Sequence, residues 1–188
     1  TTTRAGYYGS QLSLSGSPTQ KYNLTFQFLG FEAGFDNRFE YSGSVIFGTE
    51  TFAPNNNLWG LLGTFLASNV SGGLIDFAFK YNQSGLPSNP IPPGSVANGS
   101  NPLDPGQGSL NVKPNFFVSC DGAATATSCD SIVLWFDDEG GRALNKPDDD
   151  NHDDMAIRII ARVPEPAPLG LLALGLIGLG AAGFRKQN

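Results

Sequence analysis

Charge is scarce in this chain. Only 15% of its 188 residues are Asp, Glu, Lys or Arg, against about a quarter in an average soluble domain. A helical bundle laced with surface ion pairs is therefore a poor template. Methionine and histidine occur once each and cysteine twice. A Ser-His-Asp machine would have to use His152 as its base. That residue stands among aspartates on a polar turn, where a hydrogen-bonded turn histidine is expected. The metalloprotease His-Glu-x-x-His, the phosphate loop, the Gly-rich dinucleotide fingerprint and the nucleophile elbow are all absent. The expectation is a protein that is not an enzyme. A polysaccharide-acting hydrolase stays open as an alternative, because its paired carboxylates can be distant in sequence. No internal repeat is present.

Glycine (24), proline (13) and phenylalanine (14) are plentiful, and apolar residues make up 40%. This mix predicts short strands joined by turns, packed as one domain with appendages. In Tyr22-Asn-Leu-Thr-Phe-Gln-Phe28 the apolar residues alternate strictly with polar ones, the pattern of a strand covered on one face. Weaker strands are expected in Tyr7–Leu14, Phe39–Phe47 and Leu74–Tyr81. Phe116–Val118 and Ile132–Phe136 are continuous apolar runs, as in central strands buried on both faces. In Met155–Val163 the inward set is Met155, Ile157, Ile159, Ala161 and Val163, with Arg158 and Arg162 outward. Trp59–Phe65 reads as a strand or a short helical turn, and its two glycines disfavour helix. Residues 84–115, broken by prolines that cannot donate to a ladder, read as a long irregular surface loop. The fold class expected is all-β: an antiparallel β-sandwich or jelly-roll-like domain over 1–163, its core filled by the phenylalanines and the two tryptophans. A single C-terminal transmembrane helix follows in 164–188.

Cys120 and Cys129 flank a loop of small residues, Asp121–Ser128. A disulfide closing it would contribute roughly 2–3 kcal/mol on the chain-entropy estimate, and it fits an oxidising compartment. Two lone cysteines are too few for structural zinc. The chain begins at Thr1 instead of Met, and the expectation is an export signal peptide removed upstream.

The tail carries the strongest signal. Ala167–Phe184 is 18 residues without a charge. As a helix it would be about 27 Å long, close to the roughly 30 Å hydrocarbon core. Leu169, Leu172 and Leu176 belong to that membrane helix, and Gly178 with Ala182 forms a small-xxx-small step for a partner helix. Arg185 and Lys186 then mark the cytoplasmic end by the positive-inside rule, which puts the β domain outside. The order Pro164-Glu165-Pro166, apolar helix, Arg185-Lys186 resembles the PEP-CTERM sorting signal of Gram-negative bacteria. The resemblance covers residues 163–188. It implies processing by a membrane transpeptidase, exosortase, and delivery to the cell surface or an exopolysaccharide matrix.

Charge is concentrated just ahead of that tail. The net charge is −6, and Asp137–Asp154 holds eight acidic and two basic residues, which accounts for all of it. An acidic chain does not suit nucleic acid. Residues 132–163, with Asp137-Asp138 after an apolar run and Asn151-His-Asp-Asp-Met155 before the last strand, are similar to the β-domain ending of PEP-CTERM proteins. Five carboxylates within Asp148–Asp154 repel unless compensated. Ca²⁺ is the candidate cofactor, with Asp137, Asp138, Asp149, Asn151 and Asp153 as ligands of the right hard-oxygen type. Pairing with Arg142, Lys146 or backbone N–H groups, or plain solvation, are the other readings. EF-hand spacing fails, because Asp154 falls where glycine is needed and Ile160 where glutamate is needed.

Four N-x-S/T sequons, at Asn23, Asn69, Asn82 and Asn98, are candidate glycosylation sites. The expected function is that of an exported cell-surface or exopolysaccharide-matrix protein with a structural or adhesive role. Its partners would be the membrane, an exosortase-type enzyme and exopolysaccharide. The main alternative is a single-span accessory subunit, partnered by neighbouring subunits of a membrane complex.

Overall fold

The structure, a computed structural model, describes residues 7–17, 19–32, 35–51, 57–82, 92–103, 113–121, 129, 131–138 and 152–164. Its strands are β1 (Ser13–Leu14), β2 (Lys21–Glu32), β3 (Arg38–Tyr41), β4 (Ser44–Gly48), β5 (Asn57–Ser71), β6 (Gly73–Leu74), β7 (Phe77–Tyr81), β8 (Gly94–Ala97), β9 (Asn115–Cys120), β10 (Ser131–Asp137) and β11 (Met155–Arg162). One turn of 3-10 helix, Thr49–Thr51, is the only helix among the described residues, so none there is long and apolar enough to cross a membrane. The described residues are all-β.

A five-stranded sheet runs β5-β2-β11-β10-β9 and a four-stranded sheet runs β4-β3-β7-β8, every pairing antiparallel. A small β1-β6 pair stands apart. The alternation in β2 does what its period requires. Leu24, Phe26 and Phe28 are buried, while Asn23, Thr25 and Gln27 face the other way. Their buried face meets the four-stranded sheet: Phe26 packs on Phe39 and Tyr41, and Phe28 on Phe47. Deeper in, Phe79 of β7 stacks flat on Phe136 of β10 at 4.5 Å. The two sheets thus form a sandwich-like pair whose core is phenylalanine, with eight buried phenylalanines in it among the described residues. The β3–β4 hairpin turns through Ser42 and Gly43, both with positive φ, as a two-residue turn matching strand twist requires.

Of the two readings of Trp59–Phe65 the structure shows the strand, inside the long β5. Several other expectations need correction. The segment 84–115 is interrupted by β8: Gly94-Ser-Val-Ala97 contains no proline, so it keeps every donor and pairs with β7, burying Val96. Of Tyr7–Leu14, only β1 and an isolated bridge from Tyr7 to Val118 are extended pairs. That bridge explains β9, which was expected to be central. The strand ends its sheet, yet Tyr7 exchanges two backbone bonds with Val118 at 2.8 and 2.9 Å, and Tyr8 covers Phe117. Val163 is 53% exposed instead of inward, because β11 has its last partner at Arg162–Asn23.

Candidate functional site

Both tryptophans lie on the outer face of the five-stranded sheet, not in the core. The register shows why. Trp59 is opposite Gly30, Gly30 opposite Ala156, Ala156 opposite Trp135, and Trp135 opposite Phe117. Directly opposed residues share a face, so one row crosses all five strands. Its two central members are the smallest residues in the row. The indoles lean over them and approach to 6.2 Å between centroids. A Cβ on Gly30 would stand 2.6 Å from Trp59 Cε3. Trp135 is held in place by Nε1–H donating to Ser119 Oγ at 2.8 Å, whereas Trp59 remains 43% exposed. The row continues past β9 through Tyr8 and His152, whose rings pack on Phe117.

His152, expected as a hydrogen-bonded turn histidine, is also buried. Its Nε2 is 2.9 Å from Asn115 Oδ1 and its ring meets Tyr8 edge-on. It is a satisfied structural histidine.

The second notable region is the acidic end of the sandwich. Asp137 and Asp138 close β10, and Asp153 and Asp154 precede β11. Because Phe136 pairs with Met155, these four aspartates meet at the mouth of the β10–β11 connection. Asp154 N–H donates to Phe136 O at 3.1 Å. Asp138 N–H donates to Asp154 Oδ2 at 2.8 Å. Asp137 and Asp138 are buried. Burial raises the Asp154 carboxyl well above the ordinary carboxylate range, with the charges of Asp138 and Asp137 adding to it and the Asp138 N–H partly opposing.

Asn37, just before β3, reaches this cluster from the other sheet. Its backbone is clamped to Thr49, N–H to Oγ1 at 2.9 Å and O from the Thr49 N–H at 2.9 Å. Its side chain is wholly buried, and Nδ2–H donates to Asp138 Oδ2. Sequence reasoning missed Asn37: it lies 101 residues from Asp138, and only the sheet packing joins them. It also passed over Asp154 in favour of Asp153.

Of the Ca²⁺ ligands expected from sequence, Asp137, Asp138 and Asp153 lie at this end of the sandwich. Asp149 and Asn151 lie outside the described residues. Among the described residues no three His, Cys, Asp or Glu side chains converge as metal ligands. Cys120 and Cys129 stand at disulfide distance, Cα to Cα 5.9 Å. Pro164 follows β11. Glu165, Pro166, Leu169, Leu172, Leu176, Gly178, Ala182, Arg185 and Lys186 lie outside the described residues.

The sequons divide. Asn23 and Asn69 are exposed on β2 and β5, whereas Asn82 and Asn98 are buried. Asn98 is a strut: Oδ1 accepts from Leu12 N–H at 2.8 Å, and Nδ2 donates to Leu12 O and Ile75 O at 2.7 and 2.8 Å. A glycan on Nδ2 would take one of its two N–H donors and so cost one of these buried bonds.

No model of a known protein family matches the chain, and no curated protein is detectably similar to it in sequence.

Proposed function

We propose that this is an exported cell-surface or exopolysaccharide-matrix protein with a structural or adhesive role, sorted or anchored through residues 164–188, that contacts carbohydrate with the outer face of its five-stranded sheet. The observation that carries the reading is the Trp59–Trp135 pair, two indoles 6.2 Å apart on the outer face. Aromatic rings suit the C–H faces of sugars, and a rigid sheet presents them at little entropic cost. Polar neighbours on the same face, Gln27, Thr64 and Arg158, supply hydrogen-bonding groups beside them. The tail reading rests on the PEP motif, the chargeless run and the basic end.

Two experiments test this. Tryptophan fluorescence is titrated with soluble neutral and uronic-acid oligosaccharides; a saturable change that disappears in Trp59→Ala supports the contact, and a flat titration removes it. The intact mass of the native protein in medium and membrane tests the tail. Release near Pro166 supports sorting to the matrix.

A full-length mass in the membrane would favour the second reading, an accessory subunit of a membrane complex. One observation supports that rival. No strand among the described residues pairs with the far side of β5, and Leu61 and Leu66 are exposed along it. Such an edge can accept a strand from a partner.

A further inference from the structure

We propose that Asn37, Asp138 and Asp154 bind a hard divalent cation of the Ca²⁺ class, and that the cation ties the four-stranded sheet to the five-stranded sheet. The key is one atom. Asn37 is fully buried, and its Oδ1 accepts no hydrogen bond. Buried carbonyl oxygens are ordinarily partnered, and an exception calls for an explanation such as an ion or a water. The same amide touches the cluster, since its Nδ2–H donates to Asp138 Oδ2. Nitrogen and oxygen share one carbon, so the amide that touches the Asp138 carboxylate also carries the unpartnered oxygen. Asp138 N–H in turn holds Asp154 Oδ2 at 2.8 Å, fixing the second carboxylate next to the first.

The donor set selects the ion. It contains amide and carboxylate oxygens and no sulfur. Soft and borderline metals prefer thiolate or imidazole, whereas Ca²⁺ takes carboxylates, Asn carbonyls and waters in flexible geometry. Among the described residues no three acidic, His or Cys side chains converge, so the proposed set is two carboxylates with the amide oxygen as third protein ligand. Water completes the shell. This set differs from the one read in the acidic run, because it spans both sheets and uses Asn37 and Asp154.

The test uses the full-length chain, first stripped with chelator. Calorimetric titration with CaCl₂ should show one site with Kd on the order of 10⁻⁴–10⁻³ M, the range of extracellular modules. Ca²⁺ should raise the unfolding temperature, and Mg²⁺, which demands stricter geometry, should do so less. Asp138→Asn and Asp154→Asn should each weaken binding by about 10-fold or more, as loss of a charged ligand does. Asn37→Asp is the discriminating variant. It sets two carboxylates together, so without Ca²⁺ it should be less stable than wild type, and Ca²⁺ should restore it. In wild type, the Asn37 side-chain amide resonances should move on Ca²⁺ addition, a measurement that needs no variant to fold. Three results would overturn the proposal: no binding at millimolar Ca²⁺, resonance changes confined to Asp148–Asp150, or an Asn37→Asp defect that Ca²⁺ does not repair. A buried water alone would give the first result.

Discussion

The indole of Trp59 meets the indole of Trp135 across three strands' width of sheet, over Gly30 and Ala156. Neither ring fills the core. Trp59→Ala should therefore leave stability within about 1 kcal/mol of wild type, since an exposed side chain contributes little burial. Oligosaccharide affinity should fall several-fold, because an aromatic contact is worth about 0.5–1.5 kcal/mol beyond its area. Trp135→Ala should cost more stability, because it also frees Ser119 Oγ and uncovers Ala156. Chemical denaturation alongside fluorescence titration separates the two effects.

Gly30 makes that pairing possible, and only glycine can stand there. Its φ is +144°, a region L side chains rarely enter, and an added Cβ would lie 2.5 Å from Leu58 O and 2.6 Å from the Trp59 ring. Gly30→Ala should destabilise by about 3 kcal/mol or more, combining backbone strain with overpacking. The measurement is a urea midpoint at unchanged slope. A stable Gly30→Ala protein would mean that the register shift between Phe28 and Gly30 in the β2–β5 pairing can relax, and the indoles would then be free to move apart.

Much of the fold was legible in the sequence because period-2 alternation reports directly which face is covered. Tyr22–Phe28 shows this residue by residue. What could not be read was contact between distant segments. Continuous apolar runs look alike whether a strand is central or at a sheet end, so β9 reads as central although it ends its sheet. Proline density masked β8, because four proline-free residues between breakers give too short a pattern. The tryptophans were assigned to the core on size alone; their outward direction follows from register, set by pairings that no local pattern encodes. The acidic end was visible as composition, but its partner Asn37 looked like any turn asparagine.

Phe79 and Phe136 stack nearly parallel, with planes 6° apart, and come from opposite sheets. They are also fully buried. Each Phe→Ala change should cost about 3–5 kcal/mol through lost transfer energy and a cavity. Phe→Leu is gentler and suits a double-mutant cycle. The cycle should return a coupling of about 0.5–1.5 kcal/mol, the value of a specific aromatic pair. A coupling near zero would mean that the sheets cohere through area alone.

The Asp154 carboxyl gives a pH dependence of unusual sign. Its folded-state pKa is raised by burial first and then by Asp138 and Asp137. A carboxylate held this way is charged at a cost in the folded state above that raised value. Its contribution to stability is fully present below the unfolded carboxylate pKa of about 4 and is lost as pH rises through the folded value. In chelator, lowering the pH from neutral should thus stabilise wild type relative to Asp154→Asn. The difference between their unfolding temperatures should shrink with acidification, with the variant the more stable at neutral pH. Asp153, which also faces the group, is retained in both proteins, so its own titration largely cancels in the comparison. A difference independent of pH would show that Asp154 already holds its charge at ordinary pH, neutralised by a cation the chelator failed to remove or by the protein itself.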